Sequence, residues 1–231
     1  MLDAEAEYQL TPKRVDALSK ERVVDVALGG YFTLAVTDAG AVFFFGSSKN
    51  GELGHGSLGN EVLPRRIEAL VGTRRRFVAV AVGFSHALTP TEEGELYGWG
   101  YQSDNGHGRE ERTPQLVAAL ISIHVKFMHA QSTASCAVTE EGELFTWAGT
   151  GAENFGHDGL QPTRVAGLSG VDVAAVAIGR THTLAADADG VVWAFGRRSA
   201  LGLDASCPED SVDVQTPTPI PTLRVRVLNS P

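Results

Sequence analysis

The sequence predicts an all-β fold, a β-propeller made of four-stranded antiparallel blades. Three observations predict it: a repeat period near 50 residues, short alternating apolar stretches, and glycine-closed turns between them. One pattern reads Gly, any residue, aliphatic, aromatic, any residue, aromatic, then Gly or Ala. It occurs at 40–46, 94–100, 142–148 and 190–196, with starts 54, 48 and 48 residues apart. A second pattern is Pro-x-x-(Val or Ile)-x-x-Leu, at Pro12–Leu18, Pro64–Leu70, Pro114–Leu120, Pro162–Leu168 and Pro217–Leu223. Two patterns interleaved at one period do not arise easily by chance.

Each period reads as four strands. In the unit 23–70, Val24, Val26 and Leu28 alternate as a pleated strand requires. Gly29-Gly30-Tyr31 breaks that strand, and Thr33 to Val36 forms the second. Thr37-Asp38-Ala39-Gly40 is a tight turn, and Ala41 to Phe45 the third strand. After a long loop, Pro64 to Leu70 is expected as a fourth strand with proline at its first position. The turn recurs as Thr91 to Gly94, Thr139 to Gly142 and Asp187 to Gly190. A closing Gly suits the left-handed last position of a hairpin loop. The 26 glycines of this 231-residue chain fit such a turn-rich fold.

The expected organisation is an N-terminal tail (1–11), one repeat domain (12–228) and a C-terminal tail (229–231). The units run approximately 23–70, 76–120, 123–168 and 171–223. Pro12 to Leu18 reads as the tail of a preceding unit, and Arg224 to Leu228 as the first strand of another.

The net charge of −9, from 19 basic and 28 acidic residues, argues against a phosphate-backbone partner. No run reaches the ~18 apolar residues of a membrane helix. The first residues lack the regions of a secretory signal, and Cys136 and Cys207 carry no metal or redox spacing. The expectation is a cytoplasmic or nuclear protein, not a secreted one.

Gly94-Glu-Leu-Tyr-Gly-Trp-Gly100, Gly179-Arg-Thr-His-Thr-Leu184, Asn50-Gly-Glu-Leu-Gly-His-Gly56 and the proline-led tail resemble the repeat of the regulator of chromosome condensation. The resemblance implies a propeller, usually of seven blades, that binds proteins through its faces. Some members resemble exchange factors for Ran-type small GTPases. Others target ubiquitin ligases, sense ultraviolet light or inhibit bacterial enzymes. This chain departs from the pattern in having four full units. Its third unit has Gln131 where the others have Gly29, Gly83 and Gly179, and Ala148 where the second has Gly100. Trp99, Trp147 and Trp193 fall in third strands rather than beside the Gly-x-x-His turn, which argues against light sensing.

His55, His107 and His157 occupy one slot in successive loops, too far apart in a propeller to share a zinc with ~2 Å bonds. They read as loop hydrogen-bonding groups. His86 and His182 share the Gly-x-x-His position and read as partners of backbone groups near the turn. Arg74-Arg75-Arg76 reads as a solvated linker. No nucleophile motif or phosphate loop is found, so neither cofactor, metal nor catalysis is expected.

The hairpin turns between second and third strands share one face of the propeller. Asp38, Glu92, Glu93, Glu140, Glu141, Asp187 and Asp189 fall there and are the candidate partner-binding residues. They are read as an acidic rim that steers a basic partner. The expected function is a non-catalytic protein-interaction scaffold. The alternative is a guanine-nucleotide exchange factor for a Ran-type GTPase. Three ring arrangements fit: closure with four blades, an open arc completed by another chain, or an excerpt or shortened relative of a seven-bladed parent.

Overall fold

The computed structural model describes residues 11–101, 104–148, 159–203 and 213–226. Four sheets form, each antiparallel, each with its strands in chain order. Blade 1 holds β1 (Val23–Leu28), β2 (Phe32–Thr37), β3 (Val42–Gly46) and β4 (Glu61–Arg66). Blade 2 holds β5 (Ala81–Val82), β6 (His86–Pro90), β7 (Leu96–Gly100) and β8 (Glu111–Leu116). Blade 3 holds β9 (Val125–Gln131), β10 (Ala134–Thr139), β11 (Leu144–Ala148) and β12 (Thr163–Arg164). Blade 4 holds β13 (Val173–Ile178), β14 (His182–Asp187), β15 (Val191–Gly196) and β16 (Val214–Arg224).

The proline-led tail differs from the expectation in one respect. Pro64 is the fourth residue of β4, not its first, and the strand stops at Arg66. Proline is tolerated there because β4 is the outermost strand, with one side unpaired. Glu68–Leu70 forms a 3₁₀ turn that buries Leu70. Leu120 and Leu168 end similar turns and are buried too.

The hairpin motif has a compact cause. In blade 1 the Ala41 N–H donates to Thr37 Oγ1 at 3.1 Å, and the Gly40 N–H donates to the Thr37 carbonyl. Glu95 and Glu143 donate to Thr91 and Thr139 in the same way. The closing glycines take φ of +75° to +81°, which glycine adopts without strain.

The cores lie between the blades. Leu34, Val36 and Phe44 of blade 1 pack on Phe77, Val80, Val82 and Trp99 of blade 2. Leu88 and Leu96 of blade 2 pack on Ala137, Phe145 and Trp147 of blade 3. Cys136, Val138 and Leu144 of blade 3 pack on Ile178, Ala185 and Phe195 of blade 4. Blades 2 and 3 therefore each have one face turned to the blade before and one to the blade after.

Candidate interaction surfaces

The hairpin face carries the charge. At each blade the residue after the turn's Thr or Asp donates its N–H to the carbonyl of a residue just ahead of the first strand: Asp38 to Arg22, Glu92 to Arg76, Glu140 to His124, Ala188 to Asp172. The facing pairs therefore run Arg/Asp, Arg/Glu, His/Glu and Asp/Ala around the arc. In blade 1, Arg22 Nε lies 3.8 Å from Asp38 Oδ2. In blade 2, Arg76 pairs with Glu92 at 3.1 Å and Arg75 with Glu95 at 2.8 Å. The Arg76 guanidinium also donates to the Asp38 carbonyl. The arginine run is thus exposed, as a solvated linker would be, and also tied to the acids beside it.

In blades 3 and 4 the compensation fades. Glu140 and Glu141 of blade 3 and Asp189 of blade 4, like Glu93 of blade 2, are exposed and form no ion pair among the described residues, while Glu143 pairs with Arg164. Asp187 has a different place. It is buried, and its carboxylate accepts the N–H groups of Asp189 and Val191 and the indole N–H of Trp193. It does in blade 4 what Thr37, Thr91 and Thr139 do in the others. The exposed acids of the rim are therefore concentrated on blades 2 to 4, with those of blades 3 and 4 unpaired by arginine.

The opposite face carries the first turns. Tyr31 and Phe84 are exposed there and meet edge to face, with ring centroids 5.8 Å apart. The Phe84 N–H donates to the Ser132 carbonyl, linking blade 2 to blade 3. A Cβ on Gly83 would fall 2.1 Å from His86 Cε1, and one on Gly29 would fall 2.2 Å from Phe32 Cε1. The ring three residues on lies against the glycine, which explains the Gly-x-x-His turn. In blade 3 that ring is replaced by Ala134, and Gln131 stands at the glycine position.

The histidines serve the interior. His107 places a ring nitrogen 3.2 Å from the Gly98 carbonyl, and His55 packs edge to face on Phe44. His157 and Cys207 lie outside the described residues. His86 does not meet a backbone group, as its turn position suggested. Its Nε2 lies 2.6 Å from Ser135 Oγ, across the junction between blades 2 and 3. Its Nδ1 lies 3.9 Å from Asp104 Oδ2. The Asp104 carbonyl accepts from Ser135 Oγ at 3.3 Å and from the Trp147 indole at 2.9 Å.

Ser, His and Asp thus converge, but nothing outside can reach them. His86 and Ser135 are 0% exposed and Asp104 1%. Burial pushes the His86 pKa down to about 3, so the ring is neutral and its contact with Asp104 is no ion pair. This cluster is a joint between blades. Burial also pushes the Cys136 thiol up to about 12, which leaves it protonated and inert. Among the described residues no cluster of three or more His, Cys, Asp or Glu is placed to hold a metal. Nor among these residues is any helix long and apolar enough to cross a membrane.

Residues 39–89 match the regulator of chromosome condensation (RCC1) repeat. The arc aligns with the crystal structure of Prp20p from Saccharomyces cerevisiae at a TM-score of 0.74 and 22% identity. That alignment covers 94% of this chain and 54% of that one. The chain is an RCC1-like propeller arc. Human WBSCR16 gives a TM-score of 0.68 at 21% identity, over 87% of this chain and 53% of that one. Among curated proteins, the ultraviolet-B receptor UVR8 of Arabidopsis thaliana is 38% identical over 107 residues, 46% of this chain and 24% of the receptor. The human E3 ubiquitin-protein ligase HERC2 is 38% identical over 114 residues, 47% of this chain and 2% of the ligase. This RCC1-like arc therefore spans a quarter or less of those two curated relatives and about half of each solved structure.

Proposed function

We propose that this RCC1-like arc is a non-catalytic protein-interaction module that takes a basic partner on the hairpin face of blades 2 to 4, in the cytoplasm or nucleus. One observation carries the reading: among the described residues Glu93, Glu140, Glu141 and Asp189 stand exposed without cationic partners, while the acids of blade 1 and most of blade 2 are paired. Unpaired exposed carboxylates on a rigid scaffold raise local cation concentration and steer encounter. The interior chemistry supports the same reading, because the Ser135–His86 pair is sealed. The solved neighbour Prp20p is described with binding to Gsp1p and histones. Histones are basic proteins of the kind this face suits.

The test is anisotropy of a labelled lysine-rich histone-tail peptide. Glu140→Lys with Glu141→Lys is expected to weaken binding by about tenfold or more, equivalent to ~1.4 kcal/mol. Affinity is also expected to fall with added salt. Equal affinity for wild type and variant, or no salt dependence, defeats the proposal. The second reading, an exchange factor for a Ran-type small GTPase, draws on the likeness to Prp20p. Accelerated release of fluorescent nucleotide at substoichiometric protein would establish it in place of the pure scaffold.

A further inference from the structure

We infer that two copies of this chain close head to tail into one ring of eight blades, the last blade of each packing on the first blade of the other. The junctions inside the arc define what such a contact requires. By repeat position, Val26 and Leu28 of β1 correspond to Val80 and Val82 of blade 2, to Met128 and Ala130 of blade 3, and to Val176 and Ile178 of blade 4. In blades 2, 3 and 4 these residues are covered by the preceding blade. In blade 1 they are bare: Val24 is 52% exposed, Val26 56% and Leu28 75%.

The opposite side of β13 is the matching half. Ala27, Ala81 and Phe127 face the following blade and pack on its core. On β13 the residues on that side, Ala175 and Ala177, are exposed. They line an apolar groove of about 420 Å³ with Leu184, Val192 and Leu223. The two open faces are thus the two halves of a junction made three times within the arc. Eight blades lie within the ~4–8 range of propellers, and two head-to-tail contacts related by a two-fold axis leave no open edge.

Seating the second copy places its Val23 where Val225 donates to the Gly190 carbonyl, as Val125 and Val173 do to Gly94 and Gly142. Val225 and Arg226 give way. So does the incoming segment 11–21, whose place is already filled by Pro217–Leu223 and which is almost wholly exposed.

Sedimentation equilibrium of the full chain, up to about 100 μM, tests this. The expected result is twice the mass of one chain. Val26→Asp and Ala177→Asp, both at exposed positions, are each expected to give single chains. Mixing the two variants is expected to restore a weaker two-copy species, because one intact face from each remains. Hydrogen exchange of 11–21 is expected to rise on association. A single-chain mass throughout overturns the inference. So does Ala177→Asp leaving the pair intact, which would mean first blades meeting face to face, and so does growth into open polymers.

Discussion

The junction between blades 1 and 2 and the junction between blades 2 and 3 share one frame and differ in one pair of residues. At the first, Phe32 lies on Gly29, and the repeat position facing it across the junction is Ala87. At the second, His86 lies on Gly83, and the facing position is Ser135, bonded to it at 2.6 Å. Both are dry: Phe32 is 4% exposed, and Ala87, His86 and Ser135 are 0%. At the third junction the pair is Ala134 and Thr183, and the buried Thr183 hydroxyl has no hydrogen-bond partner among the described residues. The second junction satisfies its polar residue across the interface, and the third leaves one facing an alanine. The lesson is that a polar residue in this slot is bonded only where the blade across it supplies a polar partner.

The largest expected effect comes from the feature these junctions have in common. Trp99 donates its indole N–H to the Glu52 carbonyl, and Trp147 donates to that of Asp104. Both rings are fully buried between blades. Trp147→Ala is expected to cost about 3–5 kcal/mol, read by chemical denaturation. A loss under ~1 kcal/mol would mean that the blades are not held there.

A smaller effect is expected from Ser135→Ala. It leaves the His86 Nε2 without a partner in a dry site, at a cost of about 1–3 kcal/mol. The double change His86→Phe with Ser135→Ala copies the Phe32–Ala87 pair into the second junction. It is expected to recover most of that loss. A double variant less stable than Ser135→Ala alone would show that the slots are not equivalent.

The smallest effect is expected from Thr183→Val, which replaces the unpartnered hydroxyl with a methyl group. Stability is expected to stay level or rise by up to about 1 kcal/mol, visible as a higher Tm. A clear fall in Tm would reveal a hydrogen bond at Thr183.

Much of this was readable from the chain because it depends on neighbours in sequence. Thr37 and Gly40, or Gly83 and His86, lie within one turn, and their spacing states the geometry. The fourth strand was shifted because its proline sits inside an outer strand, and only pairing with β3 fixes where β4 ends. The Ser135–His86–Asp104 joint was not readable in that way. His86 and Ser135 lie 49 residues apart on separate blades. Setting the units in register and comparing columns was the available signal, since Phe32 and Ala87 occupy the same two columns. The acidic rim was legible as composition and not as field. Arg22, Arg75 and Arg76 neutralise its first half through contacts between sequence-distant segments, and Asp187 replaces a capping threonine.

The buried polar joint between blades 2 and 3 is sealed and neutral. The pH dependence of unfolding tests it most directly. His86 is held neutral when folded, with its pKa down at about 3, and returns to about 6.5 when unfolded. The unfolded state therefore binds more protons below pH 6.5, and stability falls as pH drops from 6.5 towards 3. The double variant His86→Phe with Ser135→Ala is expected to lose clearly less stability than wild type across that window. Identical slopes for the two proteins would contradict it, because His86 would then not be a sealed neutral joint.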